Sequence, residues 1–326
     1  MSDNTSRSAL VTGANSGLGF EAAAQLAESG YRKVTITVRT AEKAAIARDA
    51  LIDRTGKDVF ETLVLDNARR ETVEAATAEM IKRDDPIDVL LLNAGLAPTG
   101  KVSRTPDGIE ATVASTLTGH HLLTMRLLES GLLGSAARIV IAGSEAARGD
   151  VPMMNPLDVP GFAAEHFDGN LEAAIEAQIR MEAPARYKSG DVYATAKMFV
   201  AWWAAELARK LPEGMTVTAV SPGSAPDTNA VRNAPLYMRR VMIPLFKAMP
   251  ARMGMAGTVA DAANRYVQAA DFDTDRSGKF FASPPKKMVG ELVEVNLAHI
   301  DDRNGQKALW TVVEKVSSGA SYPTRA

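Results

Sequence analysis

The sequence predicts an α/β protein built on a doubly wound parallel sheet, and three observations predict it. Short apolar runs at residues 9–12, 34–38, 62–65, 89–92, 139–142 and 216–220 alternate with longer segments of helical period, the order that parallel strands joined by helical crossovers require. A glycine-rich turn lies between the first apolar run and the first helical segment. No Pro/Gly-rich linker, internal repeat or low-complexity tract divides the 326 residues, so residues 1–326 read as a single domain with appendages.

The elements follow in order. The first helix is expected to start near Ser16, with Phe20, Ala23, Ala24 and Ala27 on its apolar side and Gly30 where a left-handed C-terminal cap belongs. A further strand around residues 279–282 brings the sheet to about seven strands. Two segments break the alternation. Residues 145–192 form an insertion without a clear strand, holding Pro152, Pro156, Pro160 and Pro184 and one helical pattern at Leu171, Ile175 and Ile179. Residues 222–256 carry Met238, Met242, Met249, Met253 and Met255 beside Arg232, Arg239, Arg240, Lys247 and Arg252. Loops this long are lids, binding elements or disordered stretches. Residues 283–326 read as a C-terminal extension.

Composition excludes several classes of function. Lysine plus arginine number 37 against 39 aspartate plus glutamate, a net charge of −2 that gives no general attraction to nucleic acid or an anionic membrane. With no cysteine and four scattered histidines, a disulfide framework, a thiolate nucleophile, an iron–sulfur cluster and a histidine-rich metal site are all ruled out, and no metal is expected. Residues 1–8 lack the basic-then-apolar order of a secretory signal. No apolar stretch approaches the about 18 residues of a membrane span, so a cytoplasmic setting is expected.

Thr12-Gly13-Ala14-Asn15-Ser16-Gly17-Leu18-Gly19 ends the first strand and opens the first helix. Its backbone amides and the positive helix end face the C-terminal edge of the sheet, where a pyrophosphate would bind. In such a dinucleotide-binding, Rossmann-like fold the residue ending the second strand, about 20 positions on, meets the adenosine ribose. Here that residue is Arg39. A guanidinium pairs with a 2′-phosphate where a carboxylate would accept from a free hydroxyl, so Arg39, with Thr40 and Lys43 near it, predicts NADPH in preference to NADH. Asp66, followed by Asn67 at the end of the third strand, is placed either to touch the adenine or to cap the next helix.

Tyr193 and Lys197 stand four apart at the start of a strongly helical stretch, which puts phenol and ammonium on one helix face. A nearby cation favours the phenolate, so the pair predicts a tyrosine lowered toward a usable acid or base.

These motifs in this order resemble the short-chain dehydrogenase/reductase family from residue 10 to about residue 310. The matching parts are TGxxxGxG at 12–19, the Asn93-Ala94-Gly95 turn after the fourth strand, Ser144 at the end of the fifth, YxxxK at 193–197 and Pro222-Gly223 after the sixth. The resemblance implies that Ser144 hydrogen-bonds the substrate oxygen, Tyr193 transfers the proton, Lys197 holds the nicotinamide ribose and biases the tyrosine, and the nicotinamide carries the hydride. It also implies that Gly13, Asn15, Ser16, Gly17, Leu18, Gly19, Arg39, Asp66, Asn67, Asn93, Ala94, Gly95, Pro222 and Gly223 line the cofactor, with Thr228 on the nicotinamide carboxamide.

One position departs from the family. Thr116 stands where the family has the asparagine that anchors a relay water three residues before Gly119-His120, and Ser115 and Thr118 are nearby substitutes. The segment Ala308-Leu309-Trp310 looks most like the branch containing retinol dehydrogenases and light-dependent protochlorophyllide reductases, although the absence of cysteine counts against the latter. The methionine-rich segment falls where the family places its substrate lid, which implies a lipophilic or aromatic substrate. Ordinary core packing or a membrane-surface contact are the other readings of those methionines. Met198, Phe199, Trp202 and Trp203 suit a helix paired with its twin in a homodimer, or a monomer in which they pack under the 145–192 insertion. The expected function is a reductase or dehydrogenase of a carbonyl or secondary alcohol. Carbon–carbon double-bond reduction, as in protochlorophyllide reductases, and a non-catalytic dinucleotide sensor are the alternatives.

Overall fold

A computed structural model of the chain describes residues 4–98, 100–224 and 257–317. Strands β1 (Ser8–Val11), β2 (Lys33–Val38), β3 (Phe60–Val64), β4 (Ile87–Leu92), β5 (Leu133–Ala142), β6 (Thr216–Val220), β7 (Phe280–Ala282) and β8 (Val293–Glu294) form one sheet in the order β3-β2-β1-β4-β5-β6-β7-β8. The first seven run parallel and β8 pairs antiparallel with β7. The sheet thus exceeds the expected seven strands by one. β8 is two residues long, too short to leave an apolar pattern in the sequence.

Both faces of the central strands are apolar, as double-sided burial requires. Along β4, Val89 and Leu91 face one core while Leu90 and Leu92 face the other. On the first face lie α1 (Gly17–Glu28), α2 (Ala41–Thr55) and the helix Val259–Ala269. The second face is covered by α3 (Arg70–Arg83), a helical turn α4 (Ala111–Val113) that passes through a π-turn at Ala114–Thr118 into α5 (Gly119–Glu129), then α7 (Leu171–Arg180), α8 (Ser189–Ala208) and the helix Arg303–Val316. Small side chains let α1 lie close to the sheet: Ala22, Ala23, Ala24 and Ala27 are all buried. Gly30 supplies the left-handed φ of +91° just past its end, as expected.

The insertion contains, besides α7, the helix α6 (Val159–His166), which sequence reasoning missed because Pro160 reads as a breaker. Proline is tolerated in a first helical turn, and Asp158 caps this one by accepting from the Gly161 amide at 3.2 Å.

Met198, Phe199, Trp202 and Trp203 are all buried within the chain. Their cover is the segment 299–310: Trp202 Nε1 donates to the His299 carbonyl at 2.7 Å, and a Cβ on Gly305 would meet the Trp202 ring at 2.4 Å. Trp203 Nε1 donates to His121 Nδ1 at 3.1 Å, and that imidazole stands edge-on to Trp310. These side chains are therefore buried within their own chain: the 299–310 segment covers the two tryptophans, and Glu145–Arg148 of the insertion also packs on α8. Among the described residues no helix is long and apolar enough to cross a membrane.

The sharpest packing constraint lies between α5 and the turn after β3. A Cβ on Gly119 would sit 2.0 Å from the Asn67 carbonyl oxygen. Gly119→Ala should destabilise the fold by about 3 kcal/mol or more, as overpacking against backbone does. Gly100→Ala, with open space around its Cβ position, should be near neutral. Urea denaturation of both variants checks this, and equal midpoints would contradict the packing.

Candidate active site

The C-terminal edge of the sheet gathers the turns after β1 and β4 into one place. Gly13 has a φ of +67°, and a Cβ there would lie 2.9 Å from Ala94 Cα. A Cβ on Gly19 would lie 2.4 Å from Asn93 Nδ2 and 2.6 Å from the Gly13 carbonyl. These two glycines are thus required by the approach of the Asn93-Ala94-Gly95 turn. Asn93 Nδ2 donates to the Thr12 carbonyl at 2.9 Å, and the Ala94 amide donates to Thr12 Oγ1 at 2.9 Å. The amides of Gly13 and Ala14 are spent on Thr37 of β2. Helix α1 opens after Ser16 with no side-chain cap, so the positive end of its first turn is left for an anion. Asn15 is exposed, and Ser16, Gly17 and Leu18 are half-buried beside it.

Arg39 is exposed at the end of β2. Thr40, expected to help it, caps α2 by accepting from the Lys43 amide at 3.3 Å. Asp66 accepts from the Ala68 amide at 3.1 Å, closing the turn ahead of α3, whose own cap position is Arg69. Asn67 is buried, donates to the Ser115 carbonyl at 3.3 Å and keeps Oδ1 without a partner. A dinucleotide fits this chemistry: an uncapped helix start for phosphates, an exposed guanidinium beyond it, and an orphaned acceptor at the adenosine end.

The reacting groups converge across β5. Ser144 lies two residues beyond its end, accepts from the Ala146 amide at 3.2 Å and shares a hydrogen bond with the Tyr193 phenol. Tyr193 and Lys197 occupy one face of α8, the ammonium 5.8 Å from the tyrosine ring centroid. Lys197 Nζ donates to the Ala142 carbonyl at 2.6 Å. Burial pulls this lysine down to about 8. Tyr193 runs against the sequence expectation: burial raises it, the Ser144 hydrogen bond opposes the rise and the Glu145 charge adds to it. Its pKa is raised because the desolvation of the phenolate outweighs the Ser144 hydrogen bond that favours it.

Thr116 is buried in the π-turn, its Oγ1 3.3 Å from where a Cβ on Gly95 would be. Its carbonyl accepts from His120 Nδ1 at 2.9 Å. Pro222, Gly223 and Ser224 follow β6 beside this cluster. Thr228 and residues 225–256 of the expected lid, with its methionines, lie outside the described residues.

Sequence reasoning passed over three buried side chains at this edge. His120 bonds Thr116 on one nitrogen and Thr12 Oγ1, at 3.0 Å, on the other, and burial lowers it to about 3, so it stays neutral. Glu145 and Arg265 lie within 3.5 Å of each other beneath the Pro222-Gly223 turn. The signal available in advance was the adjacency of Glu145 to Ser144 and of His120 to Gly119.

The family model described as short chain dehydrogenase matches residues 7–173. A protochlorophyllide reductase of Avena sativa is 30% identical over 251 residues, covering 73% of this chain and 77% of that protein. The chain is a short-chain dehydrogenase/reductase. Its relatives set it in the branch that the 308–310 segment suggested. Dehydrogenase/reductase SDR family member 13 of Bos taurus is 28% identical over 313 residues, 95% of this chain and 73% of the relative. A WW domain-containing oxidoreductase of Drosophila melanogaster is 28% identical, and this short-chain dehydrogenase/reductase spans 61% of its length. Among solved structures, a short chain dehydrogenase from Burkholderia cenocepacia in complex with NADP shares the fold, with a TM-score of 0.60, 22% identity and coverage of 86% of this chain and 96% of that one.

The lowered lysine has a consequence for stability. The unfolded chain, with Lys197 near its ordinary 10.5, binds more protons than the folded chain between pH 8 and 10.5. Its contribution to stability therefore rises with pH through that window. Relative to Lys197→Met, the unsubstituted protein should gain about 2–3 kcal/mol between the two ends. Denaturant unfolding at both pH values reads this, and parallel pH dependences would refute it.

Proposed function

We propose that this short-chain dehydrogenase/reductase uses NADPH to reduce a carbonyl on a lipophilic or aromatic body, or runs the reverse oxidation, with Tyr193 as general acid and base. The observation that carries the reading is the triangle of Ser144, Tyr193 and Lys197: a serine hydrogen-bonded to the phenol, and an ammonium held on the same helix face. Bound nicotinamide supplies the hydride. The uncapped start of α1 and the turns at Asn93-Ala94-Gly95 and Pro222-Gly223 would hold the cofactor, with Asp66 and Asn67 toward the adenine and Arg39 toward a 2′-phosphate. Ser144 Oγ orients the substrate oxygen, and Tyr193 Oη gives that oxygen its proton. Lys197 and the Thr116 carbonyl, fixed by His120, stand behind the phenol where it is reprotonated.

Exposed apolar side chains flank this edge: Leu96 just after the β4 turn, and Met153, 75% exposed, ahead of α8. The Met153 carbonyl lies 2.2 Å from where a Cβ on Gly190 would be, three residues before Tyr193. They favour a lipophilic substrate. With Trp202 and Trp203 covered by the chain's own later segment, a monomer is the simpler assembly, and the absence of cysteine suits a reducing compartment such as the cytoplasm. A second reading, carbon–carbon double-bond reduction, draws on the similarity to protochlorophyllide reductases. Retained pigment absorbance after purification would favour it.

Tyr193→Phe should abolish reduction of lipophilic aldehydes and ketones, by about 100-fold or more, while NADPH still quenches protein fluorescence. Retained turnover would remove the tyrosine from the chemistry. Arg39→Ala should weaken NADPH binding by about tenfold or more and leave NADH binding unchanged. Parallel fluorescence titrations with the two cofactors decide it, and an unsubstituted protein that prefers NADH would make Arg39 a surface residue.

A further inference from the structure

Four segments meet at a buried carboxylate that the proposed chemistry does not use. Glu145 follows Ser144 and is 1% exposed. Its Oε2 accepts from Ser221 Oγ, and its Oε1 accepts from Ser283 Oγ at 2.9 Å and from the Ser283 amide at 3.2 Å. Arg265, on the helix Val259–Ala269, completes the set with Nη1 3.5 Å from Oε1. That guanidinium also donates to the Ser221 carbonyl at 3.1 Å, to Ser283 Oγ at 3.1 Å and to the Gly290 carbonyl at 2.6 Å. Ser221 Oγ in turn accepts from the Gly223 amide at 3.2 Å. Gly223 has a φ of +80°, and a Cβ there would meet Arg265 Nη1 at 2.9 Å and the Met288 carbonyl at 2.7 Å.

The pair therefore joins the serine-bearing turn after β5, the Pro222-Gly223 turn after β6, the end of β7 and the 283–290 loop. In an open α/β sheet a dinucleotide crosses the crevice where the strand order reverses, here between β1 and β4. The adenosine half lies toward β2, and the reacting half toward β4, β5 and β6. Every turn that the pair ties belongs to the second half.

We propose that Glu145 and Arg265 are positioning residues for the nicotinamide end of the cofactor, a buried ion pair that holds the Pro222-Gly223 turn and the 283–290 loop in register with Ser144. Removing one partner leaves the other charge buried and uncompensated, and the turns it held lose their common anchor. The adenosine end, built on Gly13, Gly19, Arg39 and Asn67, shares none of these bonds. This inference rests on the cofactor reading above and has a separate test.

The test compares NADPH with phospho-ADP-ribose, the same molecule without its nicotinamide ring. Glu145→Gln should raise the NADPH dissociation constant by about tenfold or more and change that of phospho-ADP-ribose by less than about twofold. Arg265→Met should do the same. Ser221→Ala, which removes one strut without stranding a charge, should shift the ratio in the same direction by less and guards against loss of the fold. Equal weakening of both ligands, or no change in either, would overturn the proposal. The unsubstituted chain's own affinities test the cofactor reading. If it prefers NADH, then NADH and ADP-ribose are the pair. If it binds neither, amide hydrogen exchange decides: faster exchange at 221–224 and 283–290 with 12–19 unchanged supports the tie, and unchanged exchange at those segments refutes it.

Discussion

Backbone meets backbone without side chains between them where the glycine turn after β1 touches the turn after β4, and the rest of the site is built out from that contact. Gly13 and Gly19 are read from sequence as a phosphate cradle, yet the atoms a Cβ would strike at either one belong to Asn93, Ala94 and the glycine turn itself. Close approach lets Asn93 reach the Thr12 carbonyl and lets Thr12 Oγ1 receive the Ala94 amide. Those bonds fix the start of α1, and with it the direction of the helix end that would face an anion. The glycine spacing thus serves the protein's own packing before it serves a ligand.

Buried polar side chains extend the contact in two directions, and each is nearly fully satisfied, as burial demands. In one direction, His120 links the turn after β1 to the π-turn that leads into α5, on the side of Lys197. A carbonyl only accepts, so His120 Nδ1 carries the proton toward Thr116, and Nε2 accepts from the Thr12 hydroxyl. With its pKa near 3 this imidazole is a fixed strut rather than a proton carrier. In the other direction, toward β6 and β7, Glu145 and Arg265 take the equivalent place. Neither strut touches the proposed reacting atoms, but both hold the turns that do.

The parallel sheet, the glycine turn and the Tyr193–Lys197 pair were legible because each follows from local pattern: apolar runs of strand length, a turn chemistry, an i,i+4 spacing; Ser144 came only from the resemblance to the family. What escaped depends on partners distant in sequence. Trp202 and Trp203 suited either a twin helix or a place under the 145–192 insertion, because nothing local reveals that residues 299–310 return to cover them. Pro160 looked like a helix breaker because its tolerance depends on Asp158 supplying the cap. Glu145 drew no reading from the sequence, because its meaning rests on Ser221, Arg265 and Ser283, which lie 76 or more residues away.

The direction of the Tyr193 shift follows from burial rather than from the cation on its helix face. A cation on the same helix face suggested a phenol drawn toward its anion. Instead the Lys197 ammonium is engaged by the Ala142 carbonyl, and burial works on both groups, lowering the lysine and raising the tyrosine. Both shifts favour the neutral form, so the resting site keeps the phenol protonated with Ser144 bonded to it. Reduction of a carbonyl needs that proton in place at the start, whereas oxidation of an alcohol needs it gone. In the proposed reaction the same phenol serves both directions, as donor in reduction and as acceptor in oxidation, and Ser144 is hydrogen-bonded to it.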